Sequence, residues 1–321
     1  MPALVFERNE VDEVEDWAAR LDKLGSKSLL WLDFDRRDDD QIQQAVESLG
    51  LPDVSAARLT DDDTRPFFSD FGEYLHVTAF APARNDAMRG CVQIDCLVSE
   101  TWVLTVHRSP VAAFEHVRDR MTSTSGEVGR LDGIEFLADL LAWVLEAYLA
   151  EFEAIELSLE QFDERAMRGR MEDTEQELAK LVELRQQIGR LRRALVSHRG
   201  MFLALAQPEL EAITSSDHSR RFATLRGQLE DVVQVARDSR EAVFGSFDVL
   251  IARTNLRTNE IMKILTLGAL LFLPGALIAG VLGMNFKVGL FETGGFFWIV
   301  CAGIVALAVA TLAFARGRGW V

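Results

Sequence analysis

Two stretches near the C-terminal end of the chain break an otherwise even mixing of apolar and charged positions. Between Lys263 and Lys287, and again between Glu292 and Arg316, no residue is charged over runs of 23 residues. A helix of that length rises about 34 Å, which matches the hydrocarbon core of a bilayer. A buried soluble helix is the other reading of one such run. Two of them, separated by a short stretch carrying Lys287 and Glu292, predict a membrane hairpin with spans at about 264–285 and 295–315 and a loop over 286–294.

Upstream, the pattern alternates between strand and helix periods. Ser28–Phe34 (SLLWLDF), Tyr74–Phe80, Val92–Val98 and Trp102–His107 read as strands, with Glu100 turning the last two into a hairpin. Asp39–Leu49 reads as an amphipathic helix opened by acidic residues, and Pro110–Met121 as another helix. The expected unit over 1–122 is an α/β layer with one sheet, followed by a soft linker at Thr122–Gly129.

Beyond the linker the period is helical. Leu137, Leu141, Val144, Tyr148, Phe152, Ile155, Leu159 and Phe162 form one apolar stripe, and Leu181, Leu184, Ile188, Leu191 and Leu195 form another. A break at Arg168-Gly169-Arg170 predicts an antiparallel hairpin of long helices within 131–216. Its tip is acidic, with Glu160, Asp163, Glu164, Glu172, Asp173, Glu175 and Glu177. That cluster reads either as a solvated end or as an attractor for hard cations, which favour carboxylate oxygens.

A third helix begins after Asp217 and has no stop signal before Gly283, so a stalk over 217–285 runs into the first span. Its apolar stripe (Phe222, Leu225, Leu229, Val232, Ala236, Val243, Phe247, Leu250) turns small and polar higher up. There it continues as Asn255, Asn259, Met262, Leu265 or Thr266, Ala269, Leu273, Ala276 and Gly280. Such a face suits close helix packing. It equally suits a water-filled pore with one helix from each of several copies, since two spans alone cannot enclose one. Gly283-Met284-Asn285 favours the pore. It stands where the terminal carbonyls of the first span need partners, glycine permits an unusual backbone there, and the Asn amide can hold a cation's water shell.

Charge and composition narrow the function. The net charge of −16 argues against nucleic acid and fits a domain that meets cations. Acidic residues follow Met1–Arg8 at once, the reverse of a signal peptide, so the first 260 residues are expected in the cytosol. Arg253, Arg257 and Lys263 before the first span, and Arg316 and Arg318 in the basic tail over 316–321, predict an inner-membrane protein with both termini facing the cytosol. Cys91, Cys96 and Cys301 read as isolated thiols, the first two on opposite strand faces. His76, His107, His116, His198 and His218 show no paired spacing, so an enzyme is not expected, and no G-x-x-x-x-G-K-[ST] loop is present to couple transport to a nucleotide.

The run Thr258–Asn285 (TNEIMKILTLGALLFLPGALIAGVLGMN) resembles the pore helix of the CorA family of magnesium and cobalt transporters. The TNE and MK residues, the mid-membrane Pro274, Ile278–Gly280 and the terminal Gly-Met-Asn all match. Leu29–Phe34, Arg65–Phe68, Glu73–Leu75, Trp102–His107 and the tail Arg316–Trp320 agree more loosely. The resemblance implies a pentameric funnel in membrane lipid. Gly283, Met284 and Asn285 would form the ion entrance, with the Gly283 carbonyl and Asn285 facing the metal. Asn259 would be a polar ring, Met262, Leu265 and Leu273 constrictions, and Ala269, Ala276 and Gly280 further pore lining. Asp248 matches an acidic position near the cytosolic exit, while Thr224 and Asp86 fall where the family has a regulatory metal site. The loop after the signature departs from the family, with Lys287 near the mouth. The implied function is potential-driven passage of Mg²⁺, Co²⁺, Ni²⁺ or Zn²⁺, with no tightly bound cofactor. Zinc transport of the ZntB type, proton-coupled, is the alternative, and a two-span receptor is the alternative of another class.

Overall fold

The computed structural model describes residues 3–7, 10–21, 24–25, 28–34, 39–60, 65–83, 90–107, 114, 132–168, 174–207, 216–284 and 294–318. They divide into two compact units. Unit 1 takes Met1–Arg165 and Glu175–Phe247, and unit 2 takes Ala166–Thr174 and Asp248–Val321.

Unit 1 is built on a seven-stranded sheet. In chain order the strands are β1 (Ala3–Glu7), β2 (Glu10–Val14), β3 (Ser28–Phe34), β4 (Phe67–Asp70), β5 (Leu75–Pro82), β6 (Cys91–Val98) and β7 (Trp102–His107). Their order across the sheet is β2-β1-β3-β7-β6-β5-β4. Every neighbouring pair is antiparallel except β3 with β7, where Leu32 sits beside Leu104. The continuous apolar run of β3 follows from cover on both faces. Leu30, Leu32, Phe34, Leu97, Leu104 and Val106 share a core with Ile42 and Ala45 of helix α2 (Asp39–Leu49) and Leu59 of α3 (Asp53–Thr60). Trp31, on the other face, packs against Phe136 at 5.1 Å between ring centroids.

Phe136 belongs to α4 (Gly133–Met167), whose start is fixed by two residues. Asp132 Oδ1 accepts the Glu135 N–H at 2.7 Å, capping the helix. Gly133 lies so close to the sheet that a Cβ there would stand 2.0 Å from the Ser99 carbonyl oxygen. The apolar stripe predicted along α4 is buried throughout, as are Leu181, Ile188, Leu191 and Leu195 of α5 (Thr174–Ser197). Arg165 reaches Glu177 at 3.4 Å across the hairpin these helices form. A short α6 (Arg199–Leu205) follows, and then α7 runs unbroken over Ser216–Leu282. Within unit 1, α7 lies against α4: Arg221 bonds Glu135 and Asp139, and Ser239 Oγ donates to Glu156 Oε1 at 2.8 Å.

The buried polar groups of the sheet are held by near neighbours. Asp33 accepts from Thr105 Oγ1 at 2.6 Å and lies 3.1 Å from His107 Nε2. Asp95 accepts from Thr78 at 2.8 Å and from Gln93 at 3.0 Å. Past the end of β4, the exposed edge of β5 is closed by side chains: the Phe80 N–H donates to His198 Nε2 at 2.9 Å, and the Tyr148 hydroxyl donates to the Phe80 carbonyl at 2.9 Å. Burial pushes the His198 pKa down to about 4 and raises that of Tyr148. His107 thus serves the packing of the sheet and His198 the capping of its edge.

Several elements lack the signals that marked the others. β1, β2, β4, α1 (Ala18–Leu21), α3 and α6 are too short for a period to show. β2 (EVDEV) is the acidic edge strand of the sheet. Apart from buried Phe114, the helix expected at Pro110–Met121 and the whole linker at Thr122–Gly129 fall outside the described residues.

Candidate functional site

Unit 2 holds the upper part of α7 and a final helix, α8 (Gly294–Gly317). Both contain apolar stretches long enough to cross a bilayer. None of the most apolar window of α7 is buried in the chain, and 6% of that of α8. A core helix of a soluble domain would be mostly covered, so these surfaces call for lipid or further copies of the chain as their environment.

The two faces of α7 differ. Leu267, Gly268, Leu271, Pro274, Gly275, Ile278 and Leu282 are half-buried and recur at helical spacing. Gly275 belongs to this side, and a Cβ there would meet Ile304 of α8 at 3.3 Å. On α8 the half-buried positions are Phe296, Val300, Cys301, Ile304, Ala308 and Thr311, with Ala315 buried. Adjacent Pro274 and Gly275 therefore let α8 approach where the proline has already removed a backbone N–H.

The opposite face of α7 is bare. Met262, Leu265 and Leu273 are 58, 73 and 71% exposed. Asn259, Ala269, Ala276 and Gly280 are exposed too. These are the small and polar positions read from the sequence as packing or pore surface, and the chain's own second span leaves them uncovered. Thr266 Oγ1 donates to the Met262 carbonyl at 2.7 Å, so its hydroxyl offers only lone pairs outward. Leu256, Asn259, Glu260, Met262, Lys263 and Thr266 line a shallow concavity at the lower end of this region.

At its upper end α7 closes with the Gly283 N–H on the Ala279 carbonyl at 2.9 Å and the Met284 N–H on that of Val281 at 3.3 Å. The last turn is tightened rather than reversed. Gly283 does not use the left-handed backbone that glycine permits; among the described residues that conformation belongs to Gly50, Gly72 and Gly90. What Gly283 spares is space, because a Cβ there would press on the carbonyl oxygens of Ala279 and Gly280 at 3.2 and 3.6 Å. Asn285 and Lys287 lie outside the described residues.

The acidic candidates are dispersed. Asp248 is exposed on α7, and Glu177 is engaged by Arg165 and by Lys180 at 3.2 Å. Glu175 also has partners. Asp86, Glu172 and Asp173 fall outside the described residues. Among the described residues no group of three or more His, Cys, Asp or Glu side chains could hold a metal. A single chain thus offers a line of small, amide and apolar groups. The Gly275–Ile304 contact, which decides the face that stays bare, carries no sequence signal beyond its glycine.

A family model described as CorA-like Mg²⁺ transporter protein matches residues 26–316. The cobalt/magnesium transport protein CorA of Methanocaldococcus jannaschii is 21% identical over 295 residues, covering 91% of this chain and 92% of that protein. The complete structure of the CorA magnesium transporter from the same organism superposes with a TM-score of 0.80 at 18% identity, covering 100% of this chain and 99% of that one. The ZntB cytoplasmic domain from Vibrio parahaemolyticus gives a TM-score of 0.62 at 12% identity, over 79% of this chain and 98% of that one. These structural likenesses concern the fold.

Proposed function

The chain belongs to the CorA-like Mg²⁺ transporter family, and we propose that it passes hydrated divalent cations, Mg²⁺ foremost with Co²⁺ and Ni²⁺, through a pentameric pore lined by α7. The observation that carries this reading is the bare face of α7 from Asn259 to Gly280, opposite the side that α8 covers. Lipid is a poor partner for such small and polar positions, and a ring of copies around water is a good one.

In that ring Asn259 forms a neutral polar girdle, and Met262, Leu265 and Leu273 form apolar constrictions that conduct when wetted. Gly283 and Asn285 receive the ion with its water shell, since Mg²⁺ sheds water reluctantly. The acidic cytosolic surface, Asp248 included, raises the local cation concentration without selecting among ions. With both termini on the cytosolic side of an inner membrane, the membrane potential drives entry. A doubly charged ion gains about 4.6 kcal/mol per 100 mV, so no nucleotide or other cofactor is required.

Zinc transport of the ZntB type is the competing reading. Directly held Zn²⁺ prefers thiolate, imidazole or carboxylate. Cys301 sits on the half-buried side of α8, and Asn259, Met262, Leu265, Ala269, Leu273, Ala276 and Gly280 of α7 carry none of these groups. Purified protein in liposomes, offered Mg²⁺, Co²⁺, Ni²⁺ and Zn²⁺ with and without a proton gradient, separates the readings. Uptake of several ions that grows with an inside-negative potential is expected. Uptake of Zn²⁺ alone, driven by the proton gradient, would replace this reading with the other.

A further inference from the structure

The seam between α4 and α7 keeps one register within unit 1. Arg221 of α7 bonds Asp139 of α4, and farther along Ser239 bonds Glu156, so the two helices advance side by side in the same direction. Ser246 and Asp163 each lie one heptad beyond that second pair. In helices that wind about each other, a heptad returns a residue to the same place against its partner. Ser246, at 1% exposed, is as deeply placed as Ser239.

The bond made at the first step is missing at the second. Ser246 Oγ and Asp163 Oδ1 are both buried, and neither has a hydrogen-bond partner. The chemistry of the two steps differs by one methylene. A glutamate makes the first bond, whereas the second step offers an aspartate, whose side chain is one C–C bond, about 1.5 Å, shorter. An orphaned hydroxyl and an orphaned carboxylate oxygen on neighbouring helices each cost desolvation energy, which a small approach of the helices would relieve. The step also has a particular place in the chain. Ser246 immediately precedes Phe247, and Asp163 stands just before Arg165, the residues at which these segments of unit 1 end.

We propose that Asp163 and Ser246 form a conditional latch. It is open in this structure. It closes when α4 and α7 draw together by about the length of the missing methylene, fastening α7 to the hairpin at the point where α7 leaves unit 1. Packed helices shift between discrete arrangements rather than deform continuously, so one hydrogen bond at this point biases which arrangement the conducting helix inherits.

The test supplies the missing methylene. Asp163→Glu, Ser246→Ala, the double variant and Asp163→Asn are prepared as full-length protein in liposomes. Hydrogen exchange of the α7 segment over 239–250 and Mg²⁺ flux are both read. Asp163→Glu should close the latch and slow exchange several-fold, and the effect should vanish when Ser246→Ala is also present. Flux should move at least two-fold in opposite directions for Asp163→Glu and Ser246→Ala, while Asp163→Asn, which keeps the short reach, should match the wild type. Exchange reads the latch without reference to conduction, so its failure and that of the proposed transport give different results. Slowing that persists without Ser246 would overturn the latch, and unchanged flux alongside slowed exchange would overturn its regulatory role. Protection that appears in the wild type only with Mg²⁺ and disappears in Asp163→Asn would replace the latch by a bound cation.

Discussion

Gly283 is small where the last carbonyls of α7 are crowded, and Asn285 follows with an amide that both donates and accepts. Neither contributes a large apolar surface, so their replacement should act on ions rather than on folding. Gly283→Ala and Asn285→Ala are expected to assemble normally and to lower Mg²⁺ uptake at least ten-fold, checked by gel filtration and liposome flux; wild-type uptake by either would remove it from the entrance. Elsewhere in the chain, buried His76 and His198 have pKa values pushed down to about 4, chiefly by burial. The unfolded chain takes up these protons near pH 6.5 and the folded chain only near pH 4. Stability from each histidine is therefore fully present above pH 6.5 and falls by about 3 kcal/mol as the pH drops to 4. Thermal melts of the detergent-solubilised protein from pH 7 to 4 should show the fall, and His198→Gln, whose amide oxygen can still accept from Phe80, should flatten it. An identical slope in that variant would exclude His198 as a cause.

Element by element, α7 carries most of what the sequence allowed to be read. Its lower stripe from Phe222 to Leu250 packs as the period predicts, with Ser239 and Ser246 completing it as buried polar steps that hydrophobicity alone does not mark. Its end at Leu282 falls beside the glycine that the sequence marks, although Gly283 keeps a right-handed backbone. The choice between packing surface and pore could not be made from periodicity, because both want small residues. It turns on where α8 lies, and that depends on the three-dimensional fit of Gly275 against Ile304. In the same way β1, β2 and β4 escaped notice because a strand of four or five residues is fixed by its neighbours' hydrogen bonds more than by its own pattern. Asn285, to which the proposed function gives most of the chemistry, was legible only through its motif and lies outside the described residues. Two substitutions separate the faces. Gly275→Leu should disturb the approach of α8 and lower the yield of assembled protein. Leu273→Asn, on the bare face, should fold and raise Mg²⁺ flux by letting water into a constriction. Unchanged or lower flux in folded Leu273→Asn would place the gate elsewhere.

For the whole molecule, the exposed apolar surface of α7 and α8 needs lipid or further copies of the chain around it, and the proposed pore makes a ring of chains the working unit. Single cysteines at Ala269 or Ala276 should crosslink between copies and resist lipid-phase reagents; a conducting monomer in detergent-free nanodiscs would end the oligomeric account. The central claim is that a ring of these chains recognises a divalent ion together with its water, through neutral oxygens at the mouth. Cobalt hexammine has about the size of a hydrated divalent ion, carries one more positive charge, and does not exchange its ligands, so it tests that claim most directly. Mg²⁺ uptake into liposomes should be blocked by the hexammine in the wild-type protein, with the block weakened at least ten-fold in any Asn285 variant that retains measurable flux. Undiminished Mg²⁺ uptake in the presence of the hexammine, together with Zn²⁺ uptake that depends on Cys301, would contradict it.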